Sequence, residues 1–164
     1  AWGMMRLLEE SKYHNLPRIK TVQNPYNLLN RLFEVGSAEV SKYENVGLLA
    51  YSPLAFGVLT GKFLTGEAHP NARINLFPQY TRYNSDQCLQ ATRLYQEIAK
   101  KHGLTLTELA LGFVLQQPFL TSAIIGATTM EQLKENIDTI DVFLSKEILT
   151  EIAGVQAIIP DPAP

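Results

Sequence analysis

Cysteine is nearly absent from this sequence. Cys88 is the only one in 164 residues, which excludes an internal disulfide and fits a reducing compartment. One cysteine and the three histidines His14, His69 and His102 show neither an HExxH nor a paired CxxC spacing, so no metal site is expected. No G-x-G-x-x-G and no P-loop occurs. Charge is scarce and balanced: 18% of residues are charged and the formal net charge is −2, which gives no reason to expect nucleic acid or an anionic membrane as partner. Long hydrophobic runs are also lacking. The longest, such as "LALGFVL" at 109–115, fall well short of the roughly 20 apolar residues that a membrane span needs. No secretory signal pattern opens the chain, and the expected location is the cytoplasm.

What is present is a strand–helix alternation in a chain that is 46% hydrophobic. Residues 1–12 carry Met4, Met5, Leu7 and Leu8 at helical spacing, ahead of Pro17. Ile19, Thr21 and Val22 suit a short strand closed by Asn24 and Pro25. A helix is expected around 36–44, then "VGLLAYS" at 46–52 as a near-continuous apolar strand of the kind buried on both faces in parallel sheets. The segment 85–103 sets Leu89, Leu94, Tyr95 and Ile98 on one helical side and stops at Gly103. Thr105 and Glu108 form a capping box for the next helix. "SAIIGA" at 122–127 reads as a third strand, and Thr128 and Glu131 are spaced as a second capping box opening the helix after it. A last helix covers 145–157, and the tail "PDPAP" cannot be regular structure.

Such alternation with buried strands means a parallel α/β protein. Three strands are few for a doubly wound sheet and leave both edges open. The chain also begins on a helix, as though its preceding strand lay elsewhere. A (β/α)₈ barrel takes about 250 residues, so these units are expected to be the last part of one.

Three stretches then become specific: "TVQNPYNLLNR" (21–31), "LLAYSPLAFGVLTGKF" (48–63) and "AIIGATTMEQLKENI" (123–137). Together, in this order and at this spacing, they resemble the second half of the aldo-keto reductases, with most likeness to the bacterial Tas-type branch and features shared with potassium-channel β-subunits. The resemblance covers the chain nearly end to end. It implies strands six to eight, with their helices, of a TIM (β/α)₈ barrel: residues 1–164 would be one partial barrel, its cofactor-binding half, with the first half absent.

The resemblance also implies a cofactor, NADP(H), lying across the C-terminal ends of the strands. Gln23 matches the strand-end glutamine that hydrogen-bonds the nicotinamide carboxamide, a task suited to an amide because it both donates and accepts. Tyr51 matches the aromatic that stacks on the nicotinamide ring. Ser52, Pro53, Leu54, Ala55 and Gly57 match the loop over the pyrophosphate, where small residues let backbone approach the phosphates. Lys62 supplies a point charge, and Arg73 a planar partner for phosphate or adenine. Gly126, Thr128, Gln132, Glu135 and Asn136 match contacts to the adenosine phosphate and adenine, with Thr128 at a helix start that favours an anion. Gln132 stands where an arginine often grips the 2′-phosphate, which weakens the expected preference for NADP over NAD. Read without the family, the charges are solvated loop residues, Tyr51 an ordinary barrel aromatic, and Thr128 a cap.

The family's catalytic tyrosine, aspartate, lysine and histidine have no match here. Tyr26, Tyr43, Tyr80, Tyr83 and Tyr95 do not stand in the catalytic motif, nor does any histidine, so no catalytic residue is assigned. His102 reads as a helix C-terminal residue, Cys88 as an inert thiol, and "QYTRY" at 79–83 as an ordered loop or a contact to a substrate or second chain. Two functions stay open. One is an NADP(H)-dependent reductase of aldehydes and ketones, with a small carbonyl compound as substrate, represented by its cofactor half and inactive alone. The other is a non-catalytic fragment or a channel-β-like redox-sensing protein. Open edges predict self-association or pairing with the missing first half.

Overall fold

The computed structural model describes residues 1–67 and 69–164. Helix α1 spans Trp2–Tyr13 and leads into strand β1, Thr21–Pro25. Helix α2, Ser37–Glu44, ends on Asn45, whose left-handed backbone (φ 52°) turns the chain into β2, Gly47–Tyr51. A looping segment containing the short helix α3, Arg73–Leu76, then precedes α4, Asp86–Lys101, and α5, Leu106–Leu115. Strand β3, Leu120–Ile124, is followed by α6, Met130–Asp138, and α7, Lys146–Ile158. The three strands form one sheet in the order β1-β2-β3, both pairs parallel. The parallel α/β expectation therefore holds.

Register sets up two faces. Gln23 pairs with Leu49 and Pro25 with Tyr51, while across the next ladder Leu49 pairs with Ser122 and Tyr51 with Ile124. Side chains alternate along a strand, so Leu48 and Ala50, both fully buried, point to the helices. Gln23, Leu49 and Tyr51 share the opposite, more open face. A bulge between Leu48 and Leu49 gives Thr121 no partner in the ladder. Its side chain fills the space beside Gly47, where a β-carbon would stand only 1.7 Å from Thr121 Oγ1. Glycine is the residue that this crossing admits.

On the covered side, α4, α5 and α7 close a core of Leu28, Leu29, Val58, Leu59, Tyr95, Leu109, Phe113 and Ile152. The Thr105–Glu108 capping box forms, with Glu108 N–H donating to Thr105 Oγ1 at 3.1 Å and Thr105 N–H donating to the Glu108 carboxylate at 2.7 Å. Gly103 takes φ 69° just past α4, the left-handed stop that its sequence position predicts.

Several boundaries and faces differ from the sequence reading. Strand β3 starts at Leu120 and ends at Ile124, two to three residues earlier than expected, because it is the pairing with Leu48–Tyr51 that ends it. The inward side of α4 carries Cys88, Ala91, Thr92, Tyr95, Ile98 and Ala99, while Leu89 and Leu94 lie at its margin. Small residues face in there because the helix lies close to α5 and α7. The second expected capping box does not form: the cap of α6 is Thr129, whose side chain accepts from Gln132 N–H at 3.3 Å. Thr128 is one residue outside the helix.

The irregular tail is nonetheless tied down. Asp161 Oδ1 accepts from Arg31 N–H at 2.6 Å, and Ala163 N–H donates to the Leu29 carbonyl at 3.1 Å. Cys88 is fully buried, its thiol donating to the Pro162 carbonyl at 3.4 Å, and burial pushes its pKa up. Such a thiol is inert.

Candidate functional site

The residues singled out from the sequence converge at the C-terminal ends of β1 and β2. Pro25 and Tyr51 end their strands side by side, and Tyr26 N–H donates to the Tyr51 carbonyl at 3.4 Å. Gln23 lies in the middle of β1 rather than at its end, since the ladder continues through Pro25. Its amide is exposed on the same face as the Tyr51 ring.

Beyond Tyr51 the chain bends through an unusual series of left-handed residues: Ser52 (φ 53°), Ala55 (φ 50°), Phe56 (φ 55°), Gly57 (φ 89°) and Gly61 (φ 80°). For a residue with a side chain this region costs on the order of 1–2 kcal/mol, so three such residues persist only where their surroundings hold them. Asn27 is one of the holders. It is fully buried, and its Nδ2 donates both to the Ser52 carbonyl (2.9 Å) and to the Tyr83 hydroxyl (3.1 Å). Its Oδ1 accepts from Leu29 N–H at 2.9 Å. Ala55 and Val58 bury their side chains beneath the loop, and Pro53 is buried too. Leu54 carbonyl accepts from Gly57 N–H (2.8 Å) and Leu59 N–H (3.2 Å).

The bend gathers positive charge. A β-carbon on Gly57 would lie 2.9 Å from Lys62 Nζ, so the ammonium occupies the space that glycine leaves open. Partial burial there lowers the pKa of Lys62. Arg73, from across the loop, places its guanidinium 5.7 Å from the centre of the Phe56 ring. Among the described residues neither cation has a carboxylate within ion-pairing distance. Two uncompensated cations over a bent backbone suit an anionic ligand such as phosphate.

The turn after β3 is built differently. Thr128 N–H and Oγ1 both donate to Gln132 Oε1, each at 3.0 Å. Asn136 is buried, its amide reaching back to the Gly126 carbonyl at 3.5 Å. Gly126, Thr128, Gln132 and Glu135 are exposed. Of the expected adenosine contacts, then, Asn136 braces the turn and Gln132 closes on Thr128, while Glu135 faces solvent. These residues cluster among themselves, at the end of β3 and the start of α6.

Sequence reasoning missed Asn27 and Arg82. Asn27 gave the signal "NPYN", but only its contacts show that it fastens the loop. Arg82 lies in the "QYTRY" segment, with Tyr51 and Tyr83 as hydrogen-bonding neighbours. His102 does cap α4, as expected, and its Nε2 also lies 3.3 Å from both Glu151 oxygens. Glu147 joins His102 and Glu151 there, but Lys101 Nζ already bridges the two carboxylates, at 2.5 Å from Glu151 and 3.6 Å from Glu147. Among the described residues, no helix is long and apolar enough to cross a membrane.

Comparison with known proteins agrees with this geometry. The Aldo/keto reductase family model matches residues 1–157. The protein is 52% identical to "Protein tas" of Escherichia coli (strain K12) over all 164 of its residues, which cover 47% of that protein. It is 34% identical over 155 residues to the L-glyceraldehyde 3-phosphate reductase of the same strain, covering 88% of this chain and 43% of the relative. It is also 34% identical over 140 residues to a probable voltage-gated potassium channel subunit beta of Oryza sativa subsp. japonica, covering 81% and 42%. The chain thus spans about half the length of the curated relatives it matches. A loop bent to carry Lys62 and Arg73 at the strand ends, within a match running from residue 1 to 157, makes this chain a member of the aldo/keto reductase family.

Proposed function

We propose that residues 1–164 are strands six to eight, with their helices, of a (β/α)₈ barrel, and that they form the cofactor-binding half of an NADP(H)-dependent reductase acting on aldehydes and ketones. Family membership supports a reductase in general, and the observation that carries the finer reading is the loop from Ser52 to Lys62. Its left-handed residues and Gly57 hold the Lys62 ammonium against bare backbone, which is what a pyrophosphate requires of a protein surface.

The residues fit the cofactor in a definite order. Gln23 would pair its amide with the carboxamide of the nicotinamide, and Tyr51 would offer its ring as the surface on which the nicotinamide lies. Lys62 and Arg73 would hold the phosphates, Arg73 kept at the loop by Phe56. The exposed turn at Gly126–Gln132 and Glu135 would receive the adenosine end. When bound, reduced nicotinamide supplies hydride to a carbonyl carbon. This chain's own work is to orient and to hold charge, because no general acid of the family's kind occurs in it. By itself it is inactive in this reading, and it works in the cytoplasm.

The partner surface fits the same reading. Met130, Ile137, Ile140 and Phe143, between 55% and 81% exposed, form an apolar face around α6, and β3 is a free sheet edge. In the barrel reading the remaining strands and helices cover these surfaces, and without them the chain self-associates.

The test is titration of the protein with NADPH, followed by cofactor fluorescence, since Trp2 is 77% exposed on α1 and is a poor reporter. Saturable enhancement that weakens in Lys62→Ala is expected. Absence of saturation at millimolar cofactor, in both this chain and its full-length parent, would overturn the assignment.

A further inference from the structure

Arg82 belongs to none of the elements assigned to the cofactor, and its position calls for a role. It is exposed and lies four residues before α4. The Tyr51 hydroxyl and the Tyr83 hydroxyl are both hydrogen-bonding neighbours of its guanidinium. Tyr83 is a rigid post: it is fully buried, its ring meets Phe56 edge-on at 5.0 Å, and its hydroxyl accepts from Asn27 at 3.1 Å. Asn27 in turn grips the Ser52 carbonyl. One buried network therefore fixes the end of β2, the start of the bent loop and the base of Arg82 together.

The guanidinium on this post keeps donors to spare. Two phenol oxygens cannot satisfy five N–H groups, and neither neutralises the charge. Among the described residues no carboxylate lies within ion-pairing distance of Arg82, whereas Arg6, Arg18 and Arg31 each have one. The phosphate-seeking cations, Lys62 and Arg73, gather around Phe56 and Gly57 further along the loop. Arg82 is instead moored to the phenol of Tyr51, whose ring the preceding proposal gives to the nicotinamide. It thus marks the reacting end rather than the phosphate end.

We infer that Arg82 is a specificity-determining residue that binds an anionic group, carboxylate or phosphate, carried by the carbonyl substrate. The planar fork matches either anion with two parallel hydrogen bonds. The inference rests on the cofactor reading above, because it is Tyr51 that locates the reacting end.

The experiment uses the full-length protein with NADPH and three aldehydes: benzaldehyde, 4-carboxybenzaldehyde and 4-formylphenyl phosphate. In Arg82→Ala the ratio of kcat/KM for a charged aldehyde over benzaldehyde is expected to fall about tenfold, chiefly through KM, as a lost charge-assisted contact would give. Arg82→Lys keeps the charge and should recover part of that ratio. Whichever of the two charged aldehydes shows the larger fall identifies the anion. An unchanged ratio overturns the inference, whether activity drops equally on all three aldehydes or the loss appears only as a weaker NADPH Kd. Failure of the unsubstituted protein to bind NADPH overturns the underlying cofactor reading instead, and is seen before any variant is made.

Discussion

Lys62 Nζ lies so close above Gly57 that a β-carbon there would stand 2.9 Å from it. The lysine end is flexible and could withdraw, but Gly57 also has φ +89°, where a side chain is strained whatever the space. Gly57→Ala is therefore expected to cost roughly 1–2 kcal/mol of stability and to displace the ammonium from its place. NADPH affinity should fall about tenfold or less, and urea denaturation with cofactor titration on the same sample measures both.

Lys62 itself should give cofactor binding a pH dependence. Partial burial favours its neutral form and sets its pKa below the ordinary 10.5, while a bound phosphate favours the charged form. Affinity for NADPH is then constant at neutral pH and declines as pH rises through the lowered pKa. Lys62→Gln should weaken binding about tenfold and remove that decline. A decline that survives in Lys62→Gln would assign it to another group.

Asn27 holds Ser52 and Tyr83 with one amide nitrogen. Asn27→Ala leaves a carbonyl, a hydroxyl and the Leu29 N–H without this partner in a buried place, at a cost of about 1–3 kcal/mol. The same change should loosen the left-handed turn at Ser52 and weaken NADPH binding. Chemical denaturation reads the first effect. Cofactor fluorescence of the folded fraction reads the second.

Gln132 is turned towards Thr128 by two hydrogen bonds. Gln132→Arg replaces that acceptor by a cation with donors only, which frees Thr128 and adds charge at the end of β3. The ratio of NADPH to NADH affinity should rise about tenfold. An unchanged ratio would mean that the start of α6 does not meet the 2′-phosphate.

Three buried phenols should set an alkaline limit to stability. Burial raises the pKa of Tyr26, Tyr83 and Tyr95 above the ordinary 10.0, and the Glu34 carboxylate, which accepts from Tyr26 at 2.6 Å, adds to the effect. Their stabilising contribution is whole below pH 10 and is lost as pH rises further, because the unfolded chain ionises where the folded one does not. Each such group costs up to about 1.4 kcal/mol per pH unit in that range. Urea midpoints measured from about pH 9 to 11 should fall, and less steeply in Tyr26→Phe, which removes one titrating group.

Much of the architecture was legible in the residues because its signals are local. Glu108 three residues after Thr105 does cap α5, and Gly103 does end α4. The apolar run 46–52 is the central strand, β2. The errors fall where a neighbour decides. Threonines stand at both 128 and 129, and which of them caps α6 depends on where Gln132 turns its amide. The buried side of α4 is lined by Ala91, Thr92 and Ala99 because helices lie close on it, a preference invisible to a rule that seeks large apolar residues.

The candidate site divides in the same way. Its chemistry was readable in the chain, since an amide, an aromatic, small loop residues and two cations recur in the family's order within residues 21–73. Tertiary structure alone decided that Lys62 would rest on Gly57, that Arg73 would come to Phe56, and that Asn27 and Tyr83 would fasten the loop to β1. Those relations join residues 5 to 56 positions apart. They depend on left-handed turns at Ser52, Ala55 and Phe56, which no local preference of those residues predicts and which the buried hydrogen bonds and packing around them impose.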